Sequence, residues 1–180
     1  NAGVAASGDI DTFSIKDFQW AVDINLMGAV KGCHVCVPLL KESKGTLINV
    51  ASMAGLTHMG RMSAYNASKA GVVALSETLS IELAPSGVNV SVVCPASFPS
   101  NLLSTIRSSS ETGVSVAKKM MDRSPVTADD IACMVYDDAK KGKHIIIPTR
   151  REGILWRLKR YLPGLYLIFM KKMVHKIVSR

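Results

Sequence analysis

The sequence predicts an α/β protein whose strands run parallel and are joined by helical crossovers. Three observations carry this expectation. Short runs rich in Val and Ile, bounded by turn residues, occupy positions 46–51, 89–94 and 144–147, as fully buried strands do. Around and between them, positions 14–42, 63–84 and 127–141 read as helices, and this alternation implies a parallel sheet. The 180 residues are 48% hydrophobic, which is enough for one domain with a sizeable core.

Along the chain, the helix at 14–42 precedes the first strand, 46–51, and Ser52 follows that strand directly. The helix at 63–84 leads from this strand to the second, 89–94. The helix at 127–141 leads to the last strand, 144–147; it has Asp129 and Asp130 in its first turn and Lys140, Lys141 and Lys143 at its far end, as the macrodipole favours. Neither internal repeats nor disorder-prone composition is present.

Tyr65 and Lys69 are the residues with the clearest chemistry. Four residues apart on a helix, they share a face, a turn apart. A nearby ammonium favours the phenolate, and bringing a phenol from its free pKa of about 10 toward neutrality needs roughly 3 to 4 kcal/mol. A partly desolvated lysine at close range can supply that. Ser52, thirteen residues before Tyr65, then holds a substrate oxygen while Tyr65 gives or takes the proton.

The surrounding segments are Asn-Ala-Gly at 1–3, Asn25-Leu26-Met27-Gly28, Ile48-Asn49-Val50-Ala51-Ser52, Tyr65 to Lys69, and Val93-Cys94-Pro95. In this order and spacing, over residues 1 to about 148, the chain resembles the short-chain dehydrogenase/reductase family. The resemblance implies the C-terminal part of a Rossmann-like doubly wound parallel sheet at 1–148, followed by a basic amphipathic helical tail at 149–180. It implies Asn25, Ser52, Tyr65 and Lys69 as the catalytic tetrad, with Asn25 distorting its helix and holding a water in a proton relay to Lys69. Cofactor contacts are implied for Asn1, Ala2, Gly3, Tyr65, Lys69, Pro95, Ala96, Ser97 and Ser100, the cofactor being NAD or NADP. Ala96 stands where the family usually has glycine, and Ser100 can replace the hydroxyl of its threonine.

In that family the glycine-rich turn that cradles the pyrophosphate precedes the Asn-Ala-Gly segment, and no such loop occurs in these 180 residues. The expectation is therefore a back half of a longer protein. Such a piece would bind dinucleotide poorly, turn over little or nothing, and leave an open edge on the strand at 46–51. The intact protein is expected to be a homo-oligomer through its long helices.

Ser52, Met53, Met59, Phe98 and Leu102 are the expected substrate contacts. With Met62 and the apolar start of a mobile lid at 100–122, they suit a small hydrophobic ketone or secondary alcohol. Alternatively, the methionines only fill gaps in the core. His58 reads as a solvated loop residue. Cys33, Cys36, Cys94 and Cys133 lack the pattern of a zinc site, so no metal is expected, and all four read as reduced core residues of a cytoplasmic protein.

Charge is segregated. Residues 140–180 hold twelve Lys or Arg and one Glu, while residues 1–139 hold ten basic and thirteen acidic residues. Basic and apolar side chains interleave at 154–162, Pro163-Gly164 interrupts the pattern, and the longest apolar run that follows has six residues, far short of the ~20 that span a bilayer. Three readings stand for residues 153–180: docking on an anionic membrane surface, which would place the protein peripherally at the inner membrane face; packing against the body or a sister subunit; and nucleic acid, disfavoured because no binding module accompanies the charge. The whole-chain alternatives are thus an NAD(P)-dependent oxidoreductase and a non-catalytic module that binds membranes or partners through its tail.

Overall fold

In the computed structural model, residues 1–109 and 111–178 are described. The chain opens on a two-residue strand, β1 (Ala6–Ser7), and then enters α1 (Ile15–Val22), capped by Ser14, whose Oγ accepts from the Asp17 amide at 3.4 Å. The helix widens into a π turn at Asp23–Met27 and continues as α2 (Gly28–Ser43). This is the single helix expected at 14–42, with one local distortion centred on Asn25. The α2 inward stripe is Cys33, Val37 and Leu40, and Lys44 ends the helix in the left-handed region at φ 51°.

Next come β2 (Thr46–Val50), the short α3 (Ala54–Thr57), α4 (Ser63–Leu83) and β3 (Asn89–Val93). A 3₁₀ turn at Asn101–Thr105, β4 (Arg107–Ser108), α5 (Glu111–Asp122), α6 (Ala128–Lys140) and β5 (Ile145–Ile146) follow. Thr127 and Asp130 close a reciprocal capping box at the start of α6. The tail forms two helices, α7 (Arg150–Tyr161) and α8 (Pro163–Val178), separated at the expected break.

The main sheet is parallel in the order β2–β3–β5, with Thr46 opposite Asn89, Val50 opposite Val93 and Val92 opposite Ile145. The α4 helix is the crossover from β2 to β3, and α6 lies between β3 and β5, as parallel pairing requires. Val72 and Val73 of α4 pack against Ala51, Val92 and Cys94 in the principal core. Among the described residues β2 is an edge strand, and its Ile48 is 38% exposed. This is the open edge the sequence implied.

A second, smaller pairing was not foreseen. β1 lies parallel to β4, Ala6 opposite Arg107 and Ser7 opposite Ser108. Arg107 also reaches Asp17 of α1 at 2.7 Å and stacks on Trp20, 3.9 Å from the ring centre. The segment expected as a lid is therefore tied at its middle to β1 and α1.

Candidate active site

Ser52 is placed by the ladder beyond β2. The Ala51 amide donates to Val93 O at 2.9 Å and the Met53 amide to Pro95 O at 3.0 Å, so Ser52 sits between two backbone clamps at the carboxyl ends of the strands. Its Oγ accepts from the Ala54 amide at 3.1 Å, starting α3. In turn α3 lies flush on α4. A Cβ built on Gly55 would stand 2.7 Å from the backbone carbon and oxygen of Lys69, so only glycine permits this approach.

Tyr65 and Lys69 occupy one face of α4, both buried, at 6% and 4% exposure. The Tyr65 phenol faces the Ser52 side chain, close enough for that hydroxyl to act on its pKa. Lys69 Nζ lies 5.9 Å from the Tyr65 ring centre and donates to Val50 O at 3.0 Å. Asn25, 2% exposed, points inward from the π turn. Its Nδ2 donates to Val4 O and Ser68 Oγ, each at 3.0 Å, and its Oδ1 accepts from the Val4 amide at 2.8 Å. Ser68 Oγ donates in turn to the backbone carbonyl of Tyr65 at 2.9 Å. Sequence reasoning missed Ser68; its only signal was a small polar residue between Tyr65 and Lys69.

Burial dominates the electrostatics. Desolvation lowers the Lys69 ammonium to about 8, partly opposed by Cys94. Desolvation pushes the Cys94 thiol up to about 12, with the Ser52 backbone and Lys69 pulling the other way. The Tyr65 phenol is raised by burial, against the lowering effect of the nearby Ser52 hydroxyl. The expected depression of Tyr65 by Lys69 is thus corrected: desolvation wins, and the pull on the phenol comes from Ser52.

The other expected residues divide by environment. Gly3 adjoins the site, because a Cβ there would meet Asn25 Oδ1 at 3.4 Å and Lys69 Nζ at 3.5 Å. Asn1 and Ala2 are exposed, Pro95 is buried, and Ala96 packs partly on the principal core. Ser97 and Ser100 are exposed, and Ser100 Oγ caps the Asn101–Thr105 turn by accepting from Leu102 N at 3.4 Å, which leaves its hydrogen to donate elsewhere. Met59, Phe98 and Leu102 are half-buried. Met53 is 6% exposed inside the principal core, packing with Leu56 and Val73, which is the gap-filling alternative. His58 Nδ1 accepts from Lys159 Nζ at 2.7 Å, so this residue is a tail contact and not simply solvated.

The cysteine expectation holds for Cys33 and Cys94 but not for Cys36 and Cys133, which are exposed because they lie off the inward stripes of their helices. Among the described residues no cluster of His, Cys, Asp or Glu is arranged to hold a metal ion. A groove of ≈ 300 Å³ lined by Ser80, Val90 and His144 lies at the amino ends of the strands. Ligands of open parallel sheets bind at the carboxyl ends, where Ser52 stands, so that groove is set aside as an active-site candidate.

Residues 1–111 match the short chain dehydrogenase family. The chain is 34% identical over 139 residues to the mitochondrial D-beta-hydroxybutyrate dehydrogenase of Rattus norvegicus, covering 77% of this chain and 40% of that protein. It is 31% identical over 131 residues to human 17-beta-hydroxysteroid dehydrogenase type 2, covering 72% and 33%. A short-chain dehydrogenase/reductase from Burkholderia phymatum, solved in complex with NAD, superimposes with a TM-score of 0.83 at 27% identity, covering 92% of this chain and 65% of that one. The chain spans about two-fifths of the length of the first of these curated relatives. With a family match over more than half its residues and the parallel sheet in place, this chain belongs to the short-chain dehydrogenase/reductase family.

Proposed function

We propose that the whole protein is an NAD(P)-dependent oxidoreductase that interconverts a hydrophobic ketone and its secondary alcohol, with Tyr65 as general acid/base. The observation that carries this reading is the juxtaposition of Ser52 and a buried Tyr65 and Lys69 at the carboxyl ends of parallel strands. The site fits a nicotinamide dinucleotide. Gly3 leaves a cradle against Asn25 and Lys69 that a side chain would fill, and Val50 O engages one N–H of the Lys69 ammonium. When bound, such a cofactor supplies or accepts the hydride, which no side chain can carry.

The residues do the rest. In reduction, Tyr65 gives its proton to the carbonyl oxygen while Ser52 hydrogen-bonds the same oxygen; in oxidation the roles reverse. Lys69 would hold a ribose hydroxyl with its remaining donors, and Asn25 keeps the segment at Val4, just before β1, in place. Asn1, Ala2, Pro95, Ala96, Ser97 and Ser100 border the cofactor. Half-buried Met59, Phe98 and Leu102 supply an apolar wall. The names of the relatives, a hydroxybutyrate and a hydroxysteroid dehydrogenase, support a secondary alcohol as substrate. Exposed Val35 and Leu39 on α2 and Ile81 on α4 support self-association.

Tyr65→Phe in the whole protein is the test. Oxidation of NADH and NADPH is followed with a panel of apolar ketones. We expect turnover to drop about 10²- to 10⁴-fold with dinucleotide affinity within twofold of the parent. Undiminished turnover of the variant would deny Tyr65 its role as general acid/base, and no turnover by the parent with either dinucleotide across the panel would sink the enzymatic reading and leave the non-catalytic alternative.

A further inference from the structure

The tail has two different faces. The inner one is spent on the body: Tyr166 OH donates to Thr57 O, Lys159 Nζ donates to Leu56 O at 2.5 Å, Trp156 packs on the principal core, and Met170 is 7% exposed. The contacts of Lys159, Tyr166 and Trp156 fall on the stretch between Ser52 and Tyr65 or on the core beneath it. The outer face has no such partner. In α7 it carries Ile154 and Tyr161, 65% and 73% exposed, spaced with the exposed Arg150 and Arg157. In α8, Leu165, Ile168 and Phe169 are 58%, 55% and 51% exposed, and their i, i+3, i+4 spacing puts them on one arc with Lys172.

We propose that the outer face of the α7–α8 hairpin docks on the surface of an anionic lipid bilayer. Apolar side chains this large, exposed along both helices, are costly in water and call for an occupant. Charge decides which. Residues 149–180 hold nine Lys or Arg and one Glu, a balance of +8 that equals the net charge of the whole chain, and of these cations Lys159 is turned to the body while Arg150, Arg157 and Lys172 are exposed. A second copy on the same face would set two such surfaces against each other, and the remainder of the chain is balanced and has no acidic excess to receive one. A bilayer bearing anionic headgroups accepts both components at once: the apolar arc enters the headgroup boundary, and the cations meet phosphate. The mode is peripheral, because no helix among the described residues is long and apolar enough to cross a membrane. This proposal stands apart from the catalytic reading, since it rests on surface composition alone.

Flotation of the protein with vesicles of phosphatidylcholine alone, and with about one-third phosphatidylglycerol, tests it. We expect at least tenfold stronger partitioning to the anionic vesicles, lost in molar salt, because each cation near such a surface is worth roughly fivefold. The paired substitution Ile168→Glu and Phe169→Glu is expected to abolish binding while far-UV circular dichroism stays unchanged. Should that variant misfold, Arg157→Gln, expected to weaken binding about fivefold, serves instead. No partitioning, equal partitioning to both vesicle types, or an oligomer that Ile168→Glu disperses in the absence of lipid overturns the proposal.

Discussion

Lys69 concentrates the physics of this site at the scale of one residue. An ammonium 4% exposed, lowered to about 8, is held against roughly 3 kcal/mol of desolvation. Its folded pKa lies below its unfolded value of 10.5, so between pH 8 and 10.5 the unfolded chain binds more protons and stability rises with pH. Below pH 8 the full penalty applies. Lys69→Met keeps the length of the side chain and removes the charge, at the expense of a partner for Val50 O. We expect a melting temperature at pH 7 no lower than the parent's and loss of the stability gain between pH 8 and 10.5, both read by thermal melts across pH. A variant that melts well below the parent at pH 7 would mean that the ammonium is a net stabiliser. The same burial keeps Tyr65 protonated through the neutral range, so ketone reduction is expected to hold level from pH 6 to 8 while alcohol oxidation climbs with pH.

Two elements hold the side chains of the candidate site in register, the π turn at Asp23–Met27 and the α3–α4 contact. The second rests on Gly55. Gly55→Ala drives a methyl into the Lys69 backbone at 2.7 Å, where nothing flexible can yield, so α3 must lift from α4. We expect a loss of about 1–3 kcal/mol, which at about 2–4 °C per kcal/mol in a domain of this size is visible in a melt, together with a fall in turnover larger than the stability loss explains. Gly71→Ala meets only the end of the Leu26 side chain, at 2.8 Å, and is expected to cost less. Equal effects of the two substitutions would deny Gly55 its special place. The same elements show what the sequence makes legible. Runs of Val and Ile at 46–51 and 89–94 and the long helical patterns are strong periodic signals, and each became the expected element. The Ala6–Ser7 to Arg107–Ser108 pairing has two residues a side and no periodicity, so it is decided by tertiary contacts alone. The grouping of Asn25, Ser52, Tyr65 and Lys69 was legible through its order and spacing, whereas the sign of the Tyr65 shift was not, because it depends on how deeply α4 is buried.

At the scale of the whole molecule, the cationic tail and the balanced body meet at the loop that follows Ser52, and that junction titrates. His58 adopts φ 54°, its Nε2 donates to Gly55 O at 3.1 Å, and its Nδ1 accepts from the Lys159 ammonium at 2.7 Å, which requires a neutral ring. Burial, and then Lys159, lower its pKa below 6.5. With the folded value depressed, the contribution of this contact is complete above pH 6.5 and is lost as pH falls through the folded pKa, when two cations would face each other. Undocking would draw α7 away from the core and wet Trp156. In a Trp20→Phe background, Trp156 is the sole indole, since the chain has two tryptophans. We expect its emission to move to longer wavelength on acidification below pH 6.5 while the far-UV signal of the body is retained. His58→Asn, which tolerates the left-handed backbone, should leave the emission constant over the same range. A wavelength shift that persists in His58→Asn would assign the transition to another group and detach the tail from His58.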